Sequence, residues 1–185
     1  MLSDLLKNSR ATVLKRWLEL ILESYPPGAA EFLLQETDQF LNPVGSTISD
    51  ETDTIFQQLM GGMDAEILSK SLDEIVKIRA VQEFTPSQAV EFVFYLKRAI
   101  AEALGKAVAD QQRHEELLEI YGRIDQVALL AFDLYMQRRE RIFDIRAREL
   151  RERSGRLLDR MNKIYGKVDQ GLEGLGFGAS DMEQC

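Results

Sequence analysis

The chain has 185 residues, 45% of them hydrophobic and 29% charged, with a net charge of −8, a composition that excludes both a disordered and a membrane-embedded chain. That length gives room for one domain of ordinary size, or one domain plus an appendage, with a core that needs no disulfide or metal. A single cysteine (Cys185, the last residue) and a single histidine (His114) exclude a disulfide framework within the chain and most zinc chemistry.

At the N-terminus, Met1–Arg10 carries Asp4, Lys7 and Asn8 where a signal peptide would be apolar. The first helix is expected from about Ser3, its N-cap, to Ser24, with Leu6, Val13, Trp17, Leu20 and Ile21 on one face. Tyr25-Pro26-Pro27-Gly28 stops it. A shorter helix runs from Ala29 to about Phe40 and ends before Asn42-Pro43-Val44-Gly45, because a residue preceding proline avoids the helical region. Ser49 then caps a helix reaching Met60, terminated by Gly61-Gly62. Asp64 caps the next, whose inner stripe is Ile67, Leu68, Leu72, Ile75, Val76, Ile78 and Arg79.

Thr85-Pro86-Ser87-Gln88 is the clearest local signal, a capping box with proline at the first helical position. The strand-preferring run Val90–Leu96 that follows is therefore read as a buried helix, with Ala89, Phe92, Val93, Leu96 and Ile100 at helical spacing, ending near Gly105. All four prolines (26, 27, 43 and 86) lie before the last 99 residues, which permits long helices there. From about Asp110 the pattern stays helical for more than fifty residues. Its longest unbroken apolar run, Val127–Phe132, is far short of the ~20 residues of a membrane span.

The first part of this helix packs on the domain through Leu117, Ile120, Ile124, Val127, Ala128, Ala131, Leu134 and Tyr135. In its second part Met136, Phe143, Ala147, Leu150, Leu157, Met161, Ile164 and Val168 follow one alternating 3,4 spacing, interrupted by Glu140 and Ser154. Such a heptad stripe faces another helix, and a parallel two-stranded coiled coil is the simplest arrangement. Three parts are thus expected: a helical domain at 1–136, a basic heptad rod at 137–168 and a flexible glycine-rich tail at 169–185. Gln137–Lys167 holds eleven Arg/Lys and five Asp/Glu, hence +6, which leaves −14 for the rest.

Little of this composes a chemical site. The rod's arginines could suggest nucleic acid, but Asp144–Arg148, Glu149–Arg153 and Glu152–Arg156 are helix-supporting pairs four apart, and no base-reading motif accompanies them. A solvated coiled-coil surface, with no nucleic-acid partner, is the preferred reading. His114 sits among polar neighbours, unlike a haem ligand. Neither a phosphate loop, a nucleophile elbow nor an H-E-x-x-H motif is present, so no catalytic or metal-binding residue is assigned and no enzyme is expected. Arg79 and Gln82 stand on the inner side of their helix, and a semi-buried arginine needs an acceptor, supplied by a helix end, a carboxylate or a bound anion. With Asn42, Trp17 and Tyr95 they are the candidate pocket residues, an internal tie between helices being the simpler role. Met136, Phe143, Leu150, Leu157, Met161 and Ile164 are the candidate dimer seam.

Phe40–Ile48, then Ile78–Lys97 with its Arg-Ala-Val-Gln and Phe-Val-Phe-Tyr-Leu-Lys blocks, and later Ile124–Tyr135, resemble the RsbRD N-terminal domain family, the input domains of RsbT co-antagonist proteins. The likeness covers about Leu5 to Arg148. It implies an all-helical sensory or regulatory module, dimeric, placed ahead of an output such as a STAS domain or a histidine kinase. Stressosome relatives suggest a globin-like helical bundle without haem, hence no cofactor. No output domain follows the rod here, which points to a separate signalling protein in trans. The expectation is therefore an all-α, cytoplasmic, homodimeric signalling module with no membrane partner; the alternative is a scaffold or complex subunit that senses no ligand.

Overall fold

The computed structural model describes residues 2–36, 38, 40–82, 84–108 and 110–174, with the side chains of 27, 34, 106, 108 and 166–174 left aside. All regular structure among them is helical: α1 (Leu2–Asn8), α2 (Arg10–Glu23), α3 (Pro27–Gln35), α4 (Pro43–Met60), α5 (Ala65–Val81), α6 (Pro86–Leu104) and α7 (Gln111–Gly174), with one 3-10 turn at Gly105–Val108. The chain divides into two units, Met1–Arg139 and Glu140–Cys185.

In the first unit α2 packs on α6 and α4 on α5, and α2 also meets α1, α3 and α4. The join between α2 and α6 is made by Trp17, fully buried, whose indole nitrogen donates to the Phe92 carbonyl at 2.6 Å. Phe92, Val93, Leu96 and Ile100 form the inner face of α6, so the strand-preferring run is helix, held by its start. Thr85 accepts from the Gln88 backbone N–H while the Gln88 side chain accepts from the Thr85 N–H, the complete capping box. Two initial backbone donors are thereby satisfied before the β-branched residues begin. Asp64 likewise accepts from the N–H groups of Glu66 and Ile67, and Gly61 closes α4.

The first part of α7 is keyed to this unit by polar contacts as well as by Leu117, Ile124, Val127, Ala128, Ala131 and Tyr135, all buried. Arg123 donates to the Leu59 carbonyl near the end of α4, and Tyr121 to the Lys97 carbonyl on α6. Arg138 forms a two-pronged ion pair with Asp73 on α5.

Five expectations need correction. The first helix is broken at Ser9, which has left the helical region (φ −94°, ψ 5°), and it starts at Leu2, so Ser3 is no cap. Helix α3 stops at Gln35, not Phe40. Helix α4 begins at Pro43, not after Ser49, because Asn42 is its N-cap and Pro43 sits where a missing N–H costs nothing. Ile67 is 41% exposed and so lies off the inner stripe of α5. Helix α7 reaches Gly174, past the end assigned to the rod; the remainder of the glycine-rich tail, with Cys185, lies outside the described residues.

Candidate functional site

Arg79 is the most unusual group in the molecule. It is 0% exposed near the end of α5, and no carboxylate among the described residues pairs with it. Its Nη1 donates to the Gln88 carbonyl at 2.8 Å and its Nη2 to the Ser24 hydroxyl at 2.9 Å, while its Nε has no partner. Three aromatic rings enclose the guanidinium, Phe84 at 4.9 Å, Phe92 at 5.3 Å and Tyr25 at 5.4 Å from their centroids. A ring face attracts a desolvated cation by ~2 kcal/mol or more, which helps to offset the cost of burying the charge. Burial pushes the Arg79 pKa down from its ordinary value, opposed by the nearby tyrosines and Glu91.

The positions around Arg79 follow from local structure. Ser24 ends α2, its own hydroxyl donating to the Ile21 carbonyl at 2.6 Å. Tyr25 follows before the Pro26-Pro27 start of α3, and its ring meets the edge of Phe84 at 5.4 Å. The Tyr25 hydroxyl is the other buried side-chain polar group here without a hydrogen-bond partner. Burial raises its pKa, and Arg79 close by pulls it back. Ser24, Tyr25, Pro26, Ala29, Gln82, Phe84 and Gln88 line an open cavity of about 600 Å³; Arg79 lies behind this lining, in contact with Ser24, Tyr25, Phe84 and Gln88.

Phe84 also connects this cavity to α7. Its carbonyl accepts from the Tyr135 hydroxyl at 2.6 Å, and that hydroxyl accepts from Arg139 Nη1 at 2.9 Å. Tyr135 is fully buried, and beside it Arg138 holds Asp73. A short polar chain thus runs from the cavity wall to the last turn of α7 inside the first unit.

Of the other sequence candidates, Gln82 lines the cavity but is exposed, at the C-cap of α5 and not on its inner face. Asn42 is buried elsewhere, its amide donating to the Leu33 and Glu36 carbonyls and its oxygen accepting from Gly45. Trp17 is core. Tyr95 is half-buried, its pKa pushed up to about 12 by burial and by Glu91. Ser24, Tyr25 and Phe84 were missed, since they occupy the junctions between helices, where periodicity carries no information. His114 is exposed in the first turn of α7. No group of three or more His, Cys, Asp or Glu among the described residues is placed to hold a metal, and no described helix is long and apolar enough to cross a membrane.

A second apolar feature is open to solvent. Phe94 on α6 and Leu129 and Phe132 on α7 line a groove of about 550 Å³. Leu129, Met136, Phe143, Leu150, Leu157 and Ile164 stand seven apart along α7, and each is between 37% and 68% exposed. The arginines around them do not form the pairs expected for Asp144–Arg148 and Glu152–Arg156: each guanidinium reaches the backbone carbonyl four residues back, not the carboxylate.

The first unit is thus a helical domain with internally tied polar groups, and α7 carries an apolar stripe that is not buried within the chain. The model of the RsbT co-antagonist protein rsbRD N-terminal domain matches residues 11–150, and the chain belongs to that family. An uncharacterized protein of Archaeoglobus fulgidus is 25% identical over 141 residues, 76% of this chain and 83% of its own length. No solved structure matches.

Proposed function

We propose that the chain is a non-enzymatic signalling input module of the cytoplasm, globin-like in its helical unit and free of haem. It dimerises through α7 and passes a change induced by a ligand or partner to a separate signalling protein. The observation that carries this reading is the every-seventh-residue stripe from Leu129 to Ile164, exposed throughout on the helix whose first half is core. Fully burying such a side chain contributes ~1.5–3 kcal/mol, so a second copy laid along the stripe is a strong way to satisfy it. The groove beside Phe94 and Phe132 adjoins the start of that stripe and would be covered by the same partner.

The input acts by mechanics. A stimulus must favour one of two packings of the helical unit by a few kcal/mol to shift the population. The Phe84–Tyr135–Arg139 chain supplies a physical route from the cavity to α7. Replacing both Leu150 and Leu157 with glutamate should yield a folded monomer by light scattering and circular dichroism. The dimer dissociation constant should rise by at least ~1000-fold from lost apolar burial alone. A dimer that persists unchanged contradicts the seam.

A further inference from the structure

The side-on edge of an arginine, formed by Nε and Nη2, is the fork that matches the two oxygens of a carboxylate. Arg138 uses this edge on Asp73, Nε to one oxygen and Nη2 to the other. In Arg79 the same edge is held by a single neutral hydroxyl, that of Ser24 on Nη2; Nε has no well-aligned acceptor, although the Tyr25 hydroxyl lies close to the guanidinium. Its opposite side is anchored to the Gln88 carbonyl, so the fork is fixed in orientation. Ser24 and Tyr25, which line the cavity, stand at that edge, and the unpartnered Tyr25 hydroxyl is a further donor.

The geometry points to a ligand site: the cavity lined by Ser24, Tyr25 and Phe84, which separate it from the buried Arg79, takes a small monocarboxylate with a compact apolar body that reaches the guanidinium by displacing Ser24. This rests on the reading of the helical unit as an input domain and names the class of its stimulus. The carboxylate displaces the Ser24 hydroxyl from Nη2, takes Nε and accepts from Tyr25. Ser24 loses only an acceptor role, because its own proton already goes to the Ile21 carbonyl. The apolar body lies against Tyr25, Pro26, Ala29 and Phe84. One buried guanidinium neutralises one charge, so a phosphate dianion would leave a negative charge desolvated and unpaired, which disfavours it. The aromatic enclosure excludes water from the fork and strengthens the ion pair.

Titration calorimetry of the full chain with benzoate, benzamide and inorganic phosphate tests the assignment. Benzoate should bind saturably at millimolar concentration or below, with benzamide and phosphate giving no saturable heat. Tyr25→Phe should weaken benzoate about tenfold through one lost charge-assisted hydrogen bond. Ser24→Ala should bind it equally or more tightly, since it removes the competing acceptor; a purely structural Ser24–Arg79 tie predicts weaker binding. Arg79→Lys should abolish binding. Absence of benzoate binding, equal binding of benzamide or phosphate, or indifference to Tyr25→Phe each overturns the site. Light scattering on the same samples keeps the two ideas apart: a dimer that ignores benzoate sinks only the ligand, and a monomer that binds it sinks only the dimeric relay.

Discussion

Met1–Arg139 encloses an apolar core, with Trp17, Phe56 and Phe92 at 2% exposure or less, whereas in the second unit Phe143, Leu150, Leu157 and Ile164 are each more than half exposed. Positive charge is concentrated in one stretch of α7, +6 over Gln137–Lys167 against −14 elsewhere. One continuous helix belongs to both regimes. A helix face is inherently neither core nor surface; α7 turns one face to a core that its own chain supplies, and beyond Arg139 the apolar spacing persists where the first unit has ended. Charge burial shows the reverse asymmetry: the rod's arginines are solvated, whereas Arg79 is fully buried in the first unit with no carboxylate partner among the described residues.

Disturbing one region while leaving the other intact would sharpen this contrast. The double glutamate replacement at Leu150 and Leu157 has the largest expected effect and acts on association alone. Next is Arg79→Ala, which hollows the aromatic enclosure and should lower unfolding free energy by ~3 kcal/mol or more in urea titration. Arg79→Met, filling similar volume without charge, should lose less than half as much, since a buried charge is often replaced by an apolar group at little cost. Equal losses would mean that the charge, not the packing, holds these helices. Tyr135→Phe removes the hydroxyl between the Phe84 carbonyl and Arg139 and should cost ~1 kcal/mol, with the dimer unaffected.

The smallest effect is alkaline. Tyr95 has a folded pKa of about 12 against an ordinary 10.0, so the folded state prefers its neutral form. That contribution is fully present below pH 10 and is lost as pH rises toward 12. Tyr95→Phe should therefore flatten the fall in stability over that window, measured by urea midpoints.

Where chain chemistry is local, the fold was legible before the structure. The Thr85 box, the Asp64 cap and the Gly61 stop each involve residues within a few positions of one another, and each stands as read. Asn42 carried an equally local signal, an N-cap before proline, but Asn-Pro also marks a boundary and was read as one. Gly45 confirms the tightness of that turn, since an added Cβ would lie 2.3 Å from the Asn42 amide. The break at Ser9 left no trace because the apolar spacing runs on either side of it. For the candidate site, Arg79 and its need for an acceptor followed from its place on the inner stripe. Its neighbours did not: Ser24 comes from a residue 55 positions away, and Tyr25 and Phe84 meet across helix junctions. Periodicity describes faces of helices, and this site is assembled from their ends.

Ser154 sits within the seam at an interrupted heptad position, and a parallel, in-register pair of helices would set two copies of it face to face. With Ser154→Cys in a Cys185→Ser background, mild oxidation should convert the protein almost completely into a covalent dimer, because facing seam positions fall within disulfide reach. A chain that stays uncrosslinked, while remaining folded, would contradict the shared helix on which the account depends.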